Sequence, residues 1–128
     1  MAGLTVATAT TPPDSQRLGQ GIKTVLVSGT STDATAVVAA VADSQIVITG
    51  GWVYYDGGAA ETLAILSATT SLLTLTLPAA AGCVQLPPGL IYTADSEALN
   101  FNKSGAVASI SAIIEYAVIA AGASLYIK

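Results

Sequence analysis

The stretch that decides the fold is ETLAILSATTSLLTLTLP, residues 61–78. In its second half, Leu73, Leu75 and Leu77 alternate with threonines, so the leucines face one way and the threonines the other. Pro78 ends this run, because proline has no N–H to donate to a sheet ladder. The stretch therefore predicts two β-strands, over residues 61–67 and 72–77.

Short apolar runs separated by turn residues continue on both sides of this stretch. They predict further strands over residues 22–28, 34–41, 45–49, 52–55, 83–86, 90–93, 98–102, 109–119 and 124–127. We expect 34–41 to be buried on both faces, 90–93 to pair with 98–102, and 109–119 to be the longest strand. The two glycines at 50–51 indicate a bulge or bend. Strands spaced about 8–12 residues apart predict an all-β fold, an antiparallel β-sandwich of the jelly-roll kind.

The first 21 residues differ from the rest. The segment around Pro12 and Pro13 fits neither a helix interior nor a sheet ladder, and a Gly-Gln-Gly triplet follows at 19–21. We therefore expect an extended N-terminal arm over residues 1–21 and one sandwich domain over residues 22–128. Such an arm can become ordered on a neighbouring molecule. Its candidate contact residues are Leu4, Val6, Pro12 and Pro13.

The composition is poor in charge. Charged residues make up 9% of the chain, whereas an ordinary soluble domain has about 25%. Only four residues are Lys or Arg and the net charge is −4, so neither nucleic acid nor an anionic membrane is an expected partner. A surface with so few charges is either coated with Thr, Ser and Ala or buried against other subunits, and we expect both.

Residues 106–125 are apolar enough to raise the question of a membrane span. Glu115 lies in the middle of this segment, and its Ile and Val content favours a strand instead. A charge on a central strand should face solvent or pair across a subunit boundary. Glu115 is therefore a candidate contact residue.

The chain has few groups that could do chemistry. It has no histidine, which excludes Ser-His-Asp and histidine-metal arrangements. Its one cysteine, Cys83, is expected to be a small buried hydrophobe. Three carboxylates, Asp43, Asp56 and Glu61, fall in or near predicted loops, but no spacing singles out a pair for acid–base work. We expect no catalytic residue, metal site or cofactor, and hence no enzyme.

Trp52, Tyr54 and Tyr55 form the one aromatic cluster of the sequence. Strand alternation puts Trp52 and Tyr54 on one face and Tyr55 on the other. Such a pair serves as a core or interface anchor, so Trp52 and Tyr54 are candidate contact residues. The alternative is a platform on which sugars stack in a host-binding module.

Several segments, taken in order, resemble a small β-domain of tailed-bacteriophage virion proteins, over residues 34–119. They are TAVVAAV (35–41), QIVI (45–48), PPGL (87–90), SEALNFN (96–102), SGAV (104–107) and EY (115–116). The chain departs from that pattern at residues 42–44, where the family tends to have a Gly/Lys-rich turn, and in its long N-terminal arm.

The resemblance implies a jelly-roll-like head decoration (cement) protein or fibre protein. Such a protein is made in the host cytoplasm and located on the virion, where it binds the major capsid protein and is commonly a homotrimer. A decoration protein is the first expectation. A tail or fibre component that binds a host receptor or carbohydrate is the alternative.

Overall fold

The computed structural model describes residues 3–8 and 22–121, and within them the regular structure consists of strands alone. No helix long and apolar enough to cross a membrane occurs in these two ranges. The strands are β1 (Thr5–Thr8), β2 (Lys23–Gly29), β3 (Thr35–Val38), β4 (Ser44–Tyr55), β5 (Glu61–Ser67), β6 (Thr70–Leu77), β7 (Gly82–Gln85), β8 (Leu99–Lys103) and β9 (Ile110–Ala120).

The strands form two antiparallel sheets. One has the order β1-β2-β9-β4-β7 and the other the order β3-β8-β5-β6. The chain from β2 to β9 is one long hairpin that is wrapped into two sheets, because its strand pairs are nested: β5–β6, β4–β7, β3–β8 and β2–β9. Eight strands arranged in this way make a jelly roll, to which β1 adds an edge strand. The predicted fold class is confirmed.

The core lies between the two sheets and follows the alternation of the sequence. Leu63 and Ile65 of β5 and Phe101 of β8 are fully buried. On β6, Leu75 and Leu77 are buried, whereas Thr74 and Thr76 are exposed, as the leucine–threonine alternation predicts. Each such large apolar side chain contributes about 1.5–3 kcal/mol when it leaves water.

The glycines at 50–51 form a bulge inside one continuous strand. The register between β4 and β9 shifts between Ile48 and Gly50. Gly51 has a φ of +141°, and a Cβ on it would lie 2.3 Å from the carbonyl oxygen of Ile113. The predicted strands 45–49 and 52–55 therefore join into β4. At 12 residues β4 exceeds the 11 of β9, so the prediction that 109–119 is the longest strand was wrong.

Two other strand predictions were also wrong. Of the predicted strand 34–41, only Thr35–Val38 pairs. Residues 39–41 are exposed, because β3 is an edge strand and the chain leaves the sheet after Val38. The segment 90–93 does not pair with 98–102. It runs beside β4, where the Thr93 N–H donates to the Ile46 carbonyl at 2.9 Å, while β8 pairs with β3 and β5.

The beginning of the predicted arm lies in the sheet. Thr5–Thr8 pair with β2, and Leu4 is 6% exposed within the core. The apolar Leu4 anchors this segment in the core, and the residues after it extend the open edge of the sheet at β2. The rest of the arm, with Pro12 and Pro13, and the predicted strand 124–127 lie outside the described residues.

Candidate functional site

The outward side of the five-stranded sheet carries a row of apolar side chains. Cross-strand register aligns Leu26 of β2 with Ile113 of β9, and Ile113 with Trp52 of β4. These side chains are 41%, 42% and 41% exposed, respectively. Because neighbouring strands are about 4.8 Å apart, the three residues, here called the outer-face row, span about 10 Å. The row brings together residues that are far apart in the chain.

The two outward sheet faces differ in their exposed apolar side chains. Among the described residues, the exposed large hydrophobic side chains that lie on paired strands all belong to the five-stranded sheet: Leu26, Trp52, Tyr54 and Ile113. The other sheet turns Thr74 and Thr76 outward instead. Exposed apolar groups that cluster on one face are typical of an interaction surface.

Tyr54 and Glu115 flank the outer-face row on opposite sides. Tyr54 lies opposite Ser111 and Cys83 and is 48% exposed. Glu115 is exposed and lies opposite Gly50, where the absence of a side chain leaves room for its carboxylate. The structure thus brings three of the predicted contact residues, Trp52, Tyr54 and Glu115, to one face.

A shallow, open cleft of about 220 Å³ borders Tyr54. Its lining comprises Tyr54, Tyr55, Asp56, Ser109, Ile110 and Ser111. Asp56 accepts a hydrogen bond from the Ser109 N–H at 2.8 Å, so one carboxylate oxygen already stabilises the turn after β4. Hydroxyls and an aromatic ring remain available at the rim.

The predicted contact residues of the arm lie elsewhere. Leu4 belongs to the core, and Val6 is partly buried against it. Their apolar surface is thus used largely within the chain itself. Pro12 and Pro13 fall outside the described residues, and the contact role of all four stays a prediction.

A buried ion pair, which the sequence patterns above did not predict, lies at the end of the sandwich. Glu61 is 7% exposed and Lys103 is 1% exposed, and the Lys103 Nζ lies 2.9 Å from Glu61 Oε1. The same ammonium donates to the Gly105 carbonyl at 2.6 Å. A signal did exist in the sequence, because strand alternation puts Glu61 on the inward side with Leu63, and Lys103 on the inward side with Phe101.

Glu61 also holds the loop that follows β8. Its carboxylate accepts hydrogen bonds from the Val107 N–H at 2.9 Å and from the Ala108 N–H at 3.2 Å. The hydrogen bond from Lys103 lowers the pKa of the Glu61 carboxyl, burial opposes this, and the two backbone donors lower it further. The Glu61 oxygens are thus engaged within the chain, where they hold the Lys103 ammonium and the loop after β8 in place.

The other candidate groups serve turns or lie exposed. Asp43 occupies a left-handed turn position with φ of 58°. Within the described ranges, no three His, Cys, Asp or Glu side chains come together in a way that could hold a metal ion. Cys83 is exposed, so its prediction as a buried hydrophobe was wrong, because it faces outward on the edge strand β7.

No family profile matches the chain, and no curated protein matches it. A solved structure of a cupin-like protein from Thermotoga maritima is similar at a TM-score of 0.35 and 10% identity, over 91% of this chain and 69% of that chain. The strand pairing defines the protein as a jelly-roll sandwich.

Proposed function

We propose that the chain is a non-enzymatic structural protein of a tailed-phage virion, a decoration (cement) protein that binds the capsid shell. The contact surface is the outer face of the five-stranded sheet. The observation that supports this is the outer-face row, in which Leu26, Ile113 and Trp52 are each about two-fifths exposed on adjoining strands. The resemblance to virion β-domains supplies the kind of partner, the major capsid protein.

The proposed mechanism is mechanical. Neighbouring capsid subunits adjoin only in the assembled shell, so a protein that binds across them stabilises that state by mass action. Each side chain of the row still has about two-fifths of its burial energy to gain, or about 0.6–1.2 kcal/mol. The row alone would then supply about 2–4 kcal/mol, a weak contact that a homo-oligomer, with a trimer favoured, multiplies through avidity.

A matched pair of variants tests this proposal. Ile113→Lys places a charge in the outer-face row, and Ala36→Lys places the same charge at an exposed position of the other sheet. Each purified protein is mixed with shells of the encoding phage that lack it, and bound protein is measured after the shells are sedimented. We expect Ile113→Lys to lower occupancy and shell heat stability, with Ala36→Lys unchanged. Failure of the wild-type protein to bind shells would refute the proposal.

A second candidate function is carbohydrate binding on a tail or fibre. The observation that favours it is the exposure of Tyr54, which lines the cleft with Asp56 and Ser111, together with the exposure of Trp52 on the same sheet face. Aromatic faces and hydroxyls of this kind suit sugar rings. Glycan titration followed by Trp52 fluorescence tests it. Saturable quenching that Tyr54→Ala abolishes would favour this function, and an unchanged spectrum across a glycan panel would exclude it.

A further inference from the structure

Of the four sheet edges formed by the described strands, one is long and uncharged. The edge strands β1, β3 and β7 have four residues each, and short edge strands limit pairing with other chains. The fourth edge strand, β6, has eight residues, Thr70–Leu77, with no charged residue and no proline. A register shift against β5 affects only its beginning, so residues 73–77 remain regular.

The direction of the backbone groups follows from a contact on β5. The Thr62 N–H donates to Ser104 Oγ at 2.8 Å, and the Thr62 carbonyl accepts from the Ser104 N–H at 3.0 Å. Thr62 therefore directs both backbone groups toward β8 and its continuation. Because this direction alternates along an antiparallel strand, Leu63 directs its own groups toward β6.

The same alternation identifies the free groups of β6. Leu63 pairs with Leu75, so Leu75 uses its N–H and carbonyl on β5. Its neighbours Thr74 and Thr76 direct theirs away from the sheet. No hydrogen bond within residues 3–8 and 22–121 uses these backbone groups. The edge thus presents two adjacent donor–acceptor sites of the kind that another strand binds.

We propose that β6 binds β6 of a second copy of this chain, antiparallel across a twofold axis. The two four-stranded sheets then form one sheet of eight strands. This contact is independent of the proposed shell binding, because it uses a sheet edge and leaves the outer-face row free.

Self-complementarity identifies the occupant as a second copy. In the register centred on Leu75, this residue lies opposite Leu75 of the second copy, Thr74 lies opposite Thr76, and Leu73 lies opposite Leu77. Leucines then face leucines on the core side, and the free backbone groups of the threonines face each other in hydrogen-bonded pairs. With no charge on the strand, no like charges meet. Leu73, which is only partly buried in one chain, becomes covered.

Charge substitutions at the two outward threonines test the contact and its register. Thr74→Lys with Thr76→Lys sets lysines opposite lysines and should raise the dimer dissociation constant by about tenfold or more. Thr74→Lys with Thr76→Glu sets opposite charges together only in the register centred on Leu75, and should restore the dimer. Thr24→Lys with Ser28→Lys adds the same charge on β2 and serves as the control. Sedimentation of the full chain gives the mass, and circular dichroism checks the fold.

We expect a wild-type mass of two copies, or of six if a threefold contact also forms. A wild-type mass of one or three copies at the highest soluble concentration would overturn the proposal. A dimer that persists both in the variant with lysines at 74 and 76 and in the control with lysines at 24 and 28 would also overturn it. Hydrogen exchange of the Thr74 and Thr76 amides adds a second measurement. Protection of these amides should rise with protein concentration. Equal protection in fully dissociated protein would show instead that the edge is covered by the chain's own residues.

Discussion

Replacing Gly51 by alanine tests why the chain has a glycine at the bulge of β4. Gly51 has a φ of +141°, a backbone conformation that side-chain-bearing residues rarely adopt. An added Cβ would lie 2.3 Å from the Ile113 carbonyl oxygen and 3.2 Å from the Ile114 Cα. Both atoms belong to the backbone of β9, which pairs with β2 on its other side and cannot move alone.

The expected cost can be worked from these contacts. An unfavourable backbone region costs about 1–3 kcal/mol, and forcing two packed strands apart costs about 1–3 kcal/mol. The unfolded chain has less conformational entropy with alanine than with glycine, and this offsets about 0.4–1 kcal/mol of that cost. We expect Gly51→Ala to lower the free energy of unfolding by about 3 kcal/mol, out of a total of about 5–15 kcal/mol. For a domain of this size the Tm then falls by about 10–15 °C.

Gly50→Ala is the matched control. Its Cβ would meet only Glu115 Oε1 at 3.0 Å, the end of a flexible side chain on the solvent side. We expect its free energy of unfolding to stay within about 1 kcal/mol of the wild type. Urea and thermal unfolding, followed by Trp52 fluorescence and by circular dichroism, measure both variants. Equal stability of the two variants would refute the reasoning about the bulge.

Burial and charge determine the effects of three further changes to the chain. Phe101→Ala empties a fully buried site in the core and should lower stability by about 3–5 kcal/mol in urea unfolding; a loss under about 1 kcal/mol would contradict the core described here. The Glu61 carboxyl has a lowered pKa in the folded chain, so its contribution to stability is present above the ordinary value of 4.5 and is lost as the pH falls through the folded-state pKa. Glu61→Gln should therefore flatten the acid side of the stability–pH curve, and an unchanged acid limb would count against the ion pair. Cys83 is exposed beside Tyr54, so a thiol reagent should modify it fully without denaturant, and a bulky adduct should reduce shell binding; a thiol that reacts only after unfolding would be inconsistent with an exposed β7.

Local patterns predicted the parts of the fold that depend on neighbouring residues. The alternation of Leu73, Leu75 and Leu77 gave the buried face of β6, and the glycines at 50–51 gave the bulge. Pairing between distant strands could not be predicted in this way. The segment 90–93 and the strand that contains Phe101 are close in sequence, but the first lies beside β4 of one sheet and the second pairs with β5 in the other.

The candidate site shows the same division. Alternation alone placed Trp52 and Tyr54 on one face. Leu26 and Ile113 could not be assigned to the same surface, because only the register of β2, β9 and β4 brings them beside Trp52. The inward position of Glu61 and Lys103, which form the ion pair, could have been predicted from the alternation of side chains along β5 and β8. It was missed because Glu61 stands at the first position of its strand, next to a loop.

The nested hairpin also has a consequence for how the chain reaches its native state. Its innermost pair joins Ser67 to Thr70, and its outermost pair joins Lys23 to Tyr116. Loop closure costs more entropy as the number of residues between two paired strands grows. Strand pairing should therefore start at the β5–β6 turn and end with β2 and β9. During synthesis on the ribosome, β2, β3 and β4 emerge before β9, β8 and β7, which are their partners in the hairpin. We expect slow folding in which β2 and β9 pair last, after β9 has left the exit tunnel.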